Sequence, residues 1–379
     1  MVSYNKSMDA PLVVDLGGFL DHLAHHPHEP IPPAVRDECQ KVVDTFHNTG
    51  ILIARDPRVN EQINWDFLDM MEHYFRRAGN QLYNGEKVAE VHPELHFQVG
   101  ATPENVEKAR NHCERINNLP EDSKAVTECP PQYDAKWRYF WRIGDFSAHR
   151  SDVEYENVVP PDFPQWTELM NTWGSLMLRT VETVVRMFEI AAGVQPEKIV
   201  DMLRGAPHLL APTGSDLNKF GKGSVFAGYH YDLNFITIHG KSRFPGLSAW
   251  LRNNQKIDVA VPSGCLLLQA GKLFEYITGG YVLAGYHEVV FNERTQAAVN
   301  TARETGRILW RVSSTLFSHI RHDVVLHPME EFADRFPLPR EETIAKYPPL
   351  TAADSLKEEL RLINLWKNEN PEAPASRGY

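Results

Sequence analysis

The chain has no apolar run approaching the roughly 18 residues that a membrane-spanning helix needs, so a transmembrane span is excluded. Its start, Met1 to Lys6, lacks the apolar core of a secretory signal, which predicts a cytoplasmic protein. There is no C-x-x-C pair among the four cysteines, Cys39, Cys113, Cys129 and Cys265. That spacing argues against structural zinc and predicts free thiols in a reducing compartment. No block of like charge exists either. The 50 acids and 39 bases are interspersed and leave a net charge of −11, which disfavours nucleic acid and an anionic membrane surface as partners. No internal repeat is present. What remains is a 379-residue chain, 42% hydrophobic, with material for a large core. Its expected partner is a small molecule, and nothing in it fixes an oligomeric state.

The most informative segment is His230-Tyr231-Asp232, followed by His287 and then by Arg311-Val312-Ser313. Two imidazoles and a carboxylate hold one face of an Fe(II) ion and leave three positions open. With 17 His and 50 acids in 379 residues, about two H-x-D/E pairs arise by chance. His92-Pro93-Glu94 is one of them and reads as a proline-biased loop. The pair at 230 has better context. Residues 225–238 read as one strand whose period-two alternation places Phe226, His230, Asp232 and Asn234 on a common face. Val225, Ala227, Tyr229 and Tyr231 fall on the other.

Residues 308–317 alternate as well. Arg311, Ser313 and Thr315 share one face, while Trp310, Val312 and Leu316 share the opposite one. A guanidinium fork binds a carboxylate through two parallel charge-assisted bonds, and a serine hydroxyl two residues on adds a third. Arg294 is a weaker candidate for the same task, because it lacks the serine and precedes a helical pattern.

The stretch from Phe226 to Phe317 resembles the catalytic core of the isopenicillin N synthase-like family of non-haem iron oxygenases. The resemblance rests on H-x-D at 230, a distal His 57 positions later, and R-x-S at 311. Pro245-Gly246-Leu247, Val261-Pro262-Ser263-Gly264 and the run from Leu266 to Gly280 match the family's turn-and-strand pattern. Gly271-Lys272 departs from the usual Gly-Asp, and Arg311 follows the distal His by 24 residues, longer than in many relatives. The extra segment, 293–306, is polar with a helical pattern. Near the N-terminus the likeness is weaker: Leu12 to Leu16 and Gly50 to Ala54 resemble early strands, but Arg55-Asp56-Pro57 stands where relatives carry Asn-His-Gly.

The resemblance implies a double-stranded β-helix, a jelly-roll barrel flanked by helices. It implies Fe(II) held by His230, Asp232 and His287, and 2-oxoglutarate gripped by Arg311 and Ser313, with O2 as co-substrate. Asn218 and Asn234 are further candidates for cofactor contact. The implied reaction is oxidation of an unactivated C–H bond by hydroxylation, desaturation or cyclisation. Two alternatives stay open: an iron oxidase that needs no 2-oxo acid, like isopenicillin N synthase itself, and a non-catalytic sensor that binds 2-oxoglutarate or O2.

Along the chain, residues 10–160 read as a helix-and-strand region packed on the barrel. Residues 161–335 read as a long helix plus the jelly-roll core, and 336–379 as a C-terminal helix and tail. Residues 1–10 read as a loose tail and the last dozen as disordered. Helices are expected over 35–48, 60–85, 165–192 and 352–365. The helix at 165–192 carries one apolar stripe from Trp166 through Trp173 and Val181 to Phe188, with Gly193 as its C-cap. His25, His26 and His28 read as a solvated loop. In the strand Lys136 to Arg142, alternation separates Trp137, Tyr139 and Trp141 from Lys136, Arg138, Phe140 and Arg142. Arg138 and Arg142, with Tyr229, are the candidate substrate contacts.

Overall fold

The computed structural model describes residues 10–144 and 156–362. The tail readings at 1–9 and at the C-terminus lie outside them.

Three long helices follow the expected stripes: Pro33–Thr49, Glu61–Tyr83 and Trp166–Ala192. Asn60 caps the second through Gln62 N–H. Gly193 ends the third at φ 72°, a left-handed conformation that glycine adopts without Cβ strain. Trp166, Met170, Trp173, Met177, Val181 and Phe188 are all fully buried on the stripe that faces the large sheet. Burial of side chains this size stabilises by about 1.5–3 kcal/mol each, so this layer fixes the sheet on which the site is built.

The large sheet runs in space through Val13–Asp15, Ile51–Arg55, Cys265–Ala270, Ile236–His239, Thr315–Ser318, His208–Leu210, Trp137–Ile143, Thr213–Asp216 and Trp310–Ser313. Gly100–Thr102 pairs beside Trp137–Ile143. A four-stranded sheet faces it, in the order Lys256–Asp258, Leu247–Trp250, Tyr286–Val290, Val225–His230. This is the expected double-stranded β-helix, with helices outside the larger sheet. Among the described residues no helix is long and apolar enough to cross a membrane.

Two expected strands are broken. The segment 225–238 is not one strand: Val225–His230 belongs to the small sheet and Ile236–His239 to the large one, joined by a turn at 231–235. The chain crosses between sheets there, so Asp232 sits in the crossing. Residues 308–317 likewise divide at Ser314 into Trp310–Ser313 and Thr315–Ser318, opposite a matching break at Ala211-Pro212. Alternation survives this second break: Arg311, Ser313, Thr315 and Phe317 all face the interior cavity, while Trp310, Val312 and Leu316 pack in the core. The segment after the distal histidine is the expected helix, Glu293–Glu304, opened by a capping box between Asn292 and Thr295.

The cysteine expectation is corrected. Cys113 and Cys129 form a disulfide, with Cα atoms 5.5 Å apart, and only Cys39 and Cys265 are free, both buried. The bridge closes a loop that lies over the small sheet, a tertiary proximity that spacing does not reveal.

The crossing turn is held tightly. Lys272 N–H donates to Asp232 C=O at 2.8 Å, and Gly271 N–H donates to Phe235 C=O at 2.9 Å. A Cβ on Gly271 would stand 2.1 Å from the Asn234 carbonyl oxygen. The glycine is required by close backbone approach, since its φ of −99° is open to any residue.

Candidate functional site

His230 and His287 are direct partners across an antiparallel pair, Val225–His230 with Tyr286–Val290. Their ring centroids are 4.2 Å apart. Asp232 enters from the crossing turn: its Oδ1 lies 3.6 Å from His230 Nε2 and its Oδ2 3.8 Å from His287 Nε2. The three residues offer donor atoms all within 4.8 Å of one another, the only such group of three His, Cys, Asp or Glu among the described residues.

Each imidazole is turned to serve as a ligand. His230 Nδ1 lies 2.6 Å from Gly228 C=O and His287 Nδ1 3.3 Å from Gly285 C=O. Protons on both Nδ1 atoms leave the Nε2 lone pairs aimed at the shared space. Thr237 Oγ1 donates to Asp232 Oδ2 at 2.6 Å and orients the carboxylate. Burial pushes the His287 pKa down to about 3, reinforced by the adjacent His230. Although burial opposes its charge, the two histidines and the Thr237 hydroxyl hold the Asp232 carboxyl well below the usual range. His230 moves upward because contact with Asp232 outweighs its own desolvation. A divalent cation binds two neutral imidazoles beside an ionised carboxylate, so His287 and Asp232 are already in the binding form and a cation would displace any proton from His230. The N,N,O donor set fits Fe(II).

These residues open into a cavity of about 1480 Å³ between the two sheets. Arg311 is on its wall and only 6% exposed. Its Nε donates to Pro245 C=O at 3.1 Å, and among the described residues no carboxylate pairs with it. Burial pushes its pKa down to about 10. The guanidinium is therefore charged, desolvated and aimed at space that an anion would fill. Ser313 lies beside it. Arg294, the weaker candidate, also borders the cavity, but it is half exposed and pairs with Asp258 at 3.5 Å.

The remaining candidates divide. Arg138 and Arg142 line the cavity, so the basic face of Trp137–Ile143 looks inward, while Trp137, Tyr139 and Trp141 are core. Arg138 is ion-paired with Glu107 and stacks on Phe140 at 3.7 Å. Asn234 borders the cavity but spends its amide on Ser318 C=O at 3.2 Å, which closes the crossing turn. Asn218 is exposed in a turn and bonds Asp216, away from the cavity wall. Tyr229 also lies off that wall. Alternation turns it opposite to His230, where it stacks 4.9 Å from Tyr286 and accepts from Arg115 Nε at 2.9 Å.

Sequence reading missed two groups. His239 sits on the inward face between the metal-ligand candidates and Arg311. Its Nε2 is 2.8 Å from Gln269 Oε1, and its Nδ1 is 3.1 Å from Thr315 Oγ1 and 3.3 Å from Ser313 Oγ. Period-two alternation from Thr237 could have found it. The second is a buried quartet in which Lys136 pairs with Asp134 and, at 3.3 Å, with Glu107, which also takes Arg138. Glu107 lies in irregular chain, where no pattern marks it.

No protein-family model and no curated protein sequence matches the chain. Its fold does match solved structures. A full-length Neurospora crassa protein, solved in complex with alpha-KG, superimposes with a TM-score of 0.68 at 16% identity, over 94% of this chain and 96% of that one. A Caulobacter crescentus protein assigned to the 2OG-Fe(II) oxygenase family gives 0.66 at 17% identity, over 93% and 99%. JOX2, solved with 2OG, Fe and JA, gives 0.55 at 13% identity, over 93% and 84%. The chain thus has, along nearly its whole length, the double-stranded β-helix fold of the 2OG-Fe(II) oxygenases.

Proposed function

We propose that this protein is an Fe(II)- and 2-oxoglutarate-dependent oxygenase acting on a small molecule. One observation carries the reading: a largely buried two-His, one-Asp donor cluster and a buried arginine that pairs with no carboxylate among the described residues face the same cavity. His230, Asp232 and His287 hold the metal, and Thr237 keeps the carboxylate turned toward it. Arg311 and Ser313 bind the distal carboxylate of 2-oxoglutarate. His239 sets the orientation of the Ser313 and Thr315 hydroxyls. Bound Fe(II) supplies the oxidising chemistry, using O2 and the decarboxylation of 2-oxoglutarate. The surrounding wall orients substrate and excludes water. The solved relatives support this reading, since the Neurospora crassa protein is solved with alpha-KG and JOX2 with 2OG and Fe. The order H-x-D, distal His, R-x-S favours the isopenicillin N synthase-like branch of the fold.

The test is O2 uptake and succinate formation by purified protein given Fe(II), 2-oxoglutarate and candidate small molecules. Slow succinate formation without substrate, abolished in Asp232→Ala, is expected. O2 uptake that needs Fe(II) but yields no succinate would move the protein to the oxidase class, and no iron-dependent chemistry with intact 2-oxoglutarate binding would make it a sensor.

A further inference from the structure

Beside the metal-ligand candidates, the cavity wall carries an ion cluster that the chemistry proposed above leaves unused. Lys136 pairs with Asp134 and, at 3.3 Å, with Glu107, and Glu107 also takes Arg138. Burial opposes the Glu107 charge, but Arg138 and Lys136 outweigh it and hold the carboxyl below its usual range. Burial likewise opposes the Lys136 charge, and Asp134 and Glu107 hold the ammonium above its own. Two cations and two carboxylates sum to zero. Each of the four side chains is at most 13% exposed, and all four line the cavity. What they leave accessible faces its interior.

The cluster has donors and acceptors to spare. Lys136 carries three N–H donors and meets two carboxylates. Arg138 Nε makes no hydrogen bond among the described residues, and the guanidinium lies over the Phe140 ring at 3.7 Å, which fixes its plane. An ionised carboxylate accepts about four hydrogen bonds. Asp134 receives two donors, Lys136 and the Gly228 N–H at 2.9 Å, and Glu107 receives Lys136 and Arg138.

Strand geometry places the cluster. Gly228, which Asp134 holds, and His230 are alternate residues of Val225–His230, about 7 Å apart on one face. On the other sheet Arg138 pairs with Thr213 and Thr213 with Ser313, two inter-strand steps of about 10 Å in all. The cluster therefore borders the space between the metal-ligand candidates and the proposed carboxylate clamp.

A divalent ion, Asp232, Arg311 and a doubly charged 2-oxo diacid also sum to zero, so neither neighbour calls for a charge on the substrate. An ionic group set against a neutral cluster would lose its hydration without gaining a counter-ion, whereas a neutral amide recovers both of its hydrogen bonds there. We propose that the substrate meets this cluster with a neutral amide whose N–H and C=O lie on one edge, as in a cyclic amide. Glu107 accepts from the N–H, and its cationic partners donate to the C=O. The carbon to be oxidised lies a few bonds away, toward the metal. This rests on the function proposed above and names its substrate class.

The test is relaxation of ligand protons by Mn(II) and needs no turnover. Protein loaded with Mn(II) and 2-oxoglutarate is titrated by NMR with δ-valerolactam, N-methyl-δ-valerolactam, cyclohexanecarboxylate and cyclohexylammonium, with Mg(II)-loaded protein as the diamagnetic reference. The lactam should be relaxed by the metal and bind about tenfold or more tightly than the other three. Glu107→Gln makes the cluster a cation and should put the carboxylate first. Arg138→Met makes it an anion and should put the ammonium first. The double variant is neutral again and should favour neither ion, and unchanged 2-oxoglutarate affinity in all three reports intact folding. A lactam that the metal does not relax, an N-methyl lactam that binds equally, an ion that binds wild-type protein as well as the lactam does, or a preference unmoved by both single substitutions would each overturn the proposal. The wild-type ranking decides by itself if a variant does not fold. Failure of the wild-type protein to bind Mn(II) or 2-oxoglutarate would instead strike the function reading, and saturation transfer from metal-free protein would still rank the four probes.

Discussion

Replacing Arg311 with Met should make the unliganded protein more stable and, at the same time, insensitive to 2-oxoglutarate. The guanidinium is 6% exposed, and burial alone pushes its pKa from 12.5 to about 10. Each pKa unit corresponds to about 1.4 kcal/mol, so the charge costs the empty fold about 3 kcal/mol. Its bond to Pro245 C=O offsets part of this, and that carbonyl also accepts from Thr295 Oγ1 at 3.1 Å, so Met leaves no orphan acceptor. Methionine fills similar length without charge. A net gain of about 1–3 kcal/mol follows, or a rise of about 1–4 °C in Tm for a chain this long. In the wild-type protein, 2-oxoglutarate at a hundred times its Kd, with Mn(II), should add about 2.7 kcal/mol. Arg311→Met should lose that gain, because removing one partner of a desolvated charge pair costs about 2–5 kcal/mol. Melting curves with and without 2-oxoglutarate read both effects. Arg294→Met is the control and should change neither. A variant that melts below wild type yet keeps its ligand shift would refute the assignment of Arg311 as a carboxylate clamp.

Asp232→Ala and His230→Ala should fold normally and bind Mn(II) or Co(II) at least about tenfold more weakly by calorimetry, since each removes one of three donors; unchanged affinity would relocate the metal. Stability should fall in mild acid. Burial pushes His208 down to about 4, so between about pH 6.5 and 4 the unfolded chain binds a proton that the folded one refuses. The contribution is complete above that window, falls as pH drops through it by about 3 kcal/mol, and should flatten in His208→Phe when urea midpoints are compared across pH. Reducing the Cys113–Cys129 bridge should destabilise the fold by about 3 kcal/mol on a loop-entropy account, and so lower Tm, while leaving Mn(II) affinity unchanged; no shift with dithiothreitol would mean the pair does not form.

The site was legible in sequence wherever period-two alternation applied. His230, Arg311 and Ser313 fall on the faces that alternation assigned them and line the cavity; His287 was marked only by its distance from the H-x-D pair, and alternation split the strand Trp137–Ile143 into two faces without telling which one looks inward. The break at Ser314 stayed invisible because inward and outward residues keep their order across it. The break after His230 was hidden for a different reason. Asp232 reaches the same space as His230 through a turn, where alternation gave the right side by the wrong route. Tyr229 shows the limit of reading chemistry without direction: its hydroxyl suits a substrate contact, but the alternation that makes His230 face inward turns it out. Glu107 and the Cys113–Cys129 bridge lie in irregular chain, where proximity is a product of tertiary folding and leaves no local signal.

Gly271 has a consequence for how this centre tolerates change. The residue has no side chain to contribute, and its backbone angles are ordinary. Yet a single methyl there would press on the Asn234 carbonyl at 2.1 Å and tilt the turn that carries Asp232. Surveys that shorten side chains to alanine would pass over it, because nothing is shortened. Laboratory selection for new substrates should therefore find the distant wall of the cavity permissive and this bare position closed. Its constraint is one of clearance: the placement of Asp232 beside the two histidines depends on a neighbour staying small.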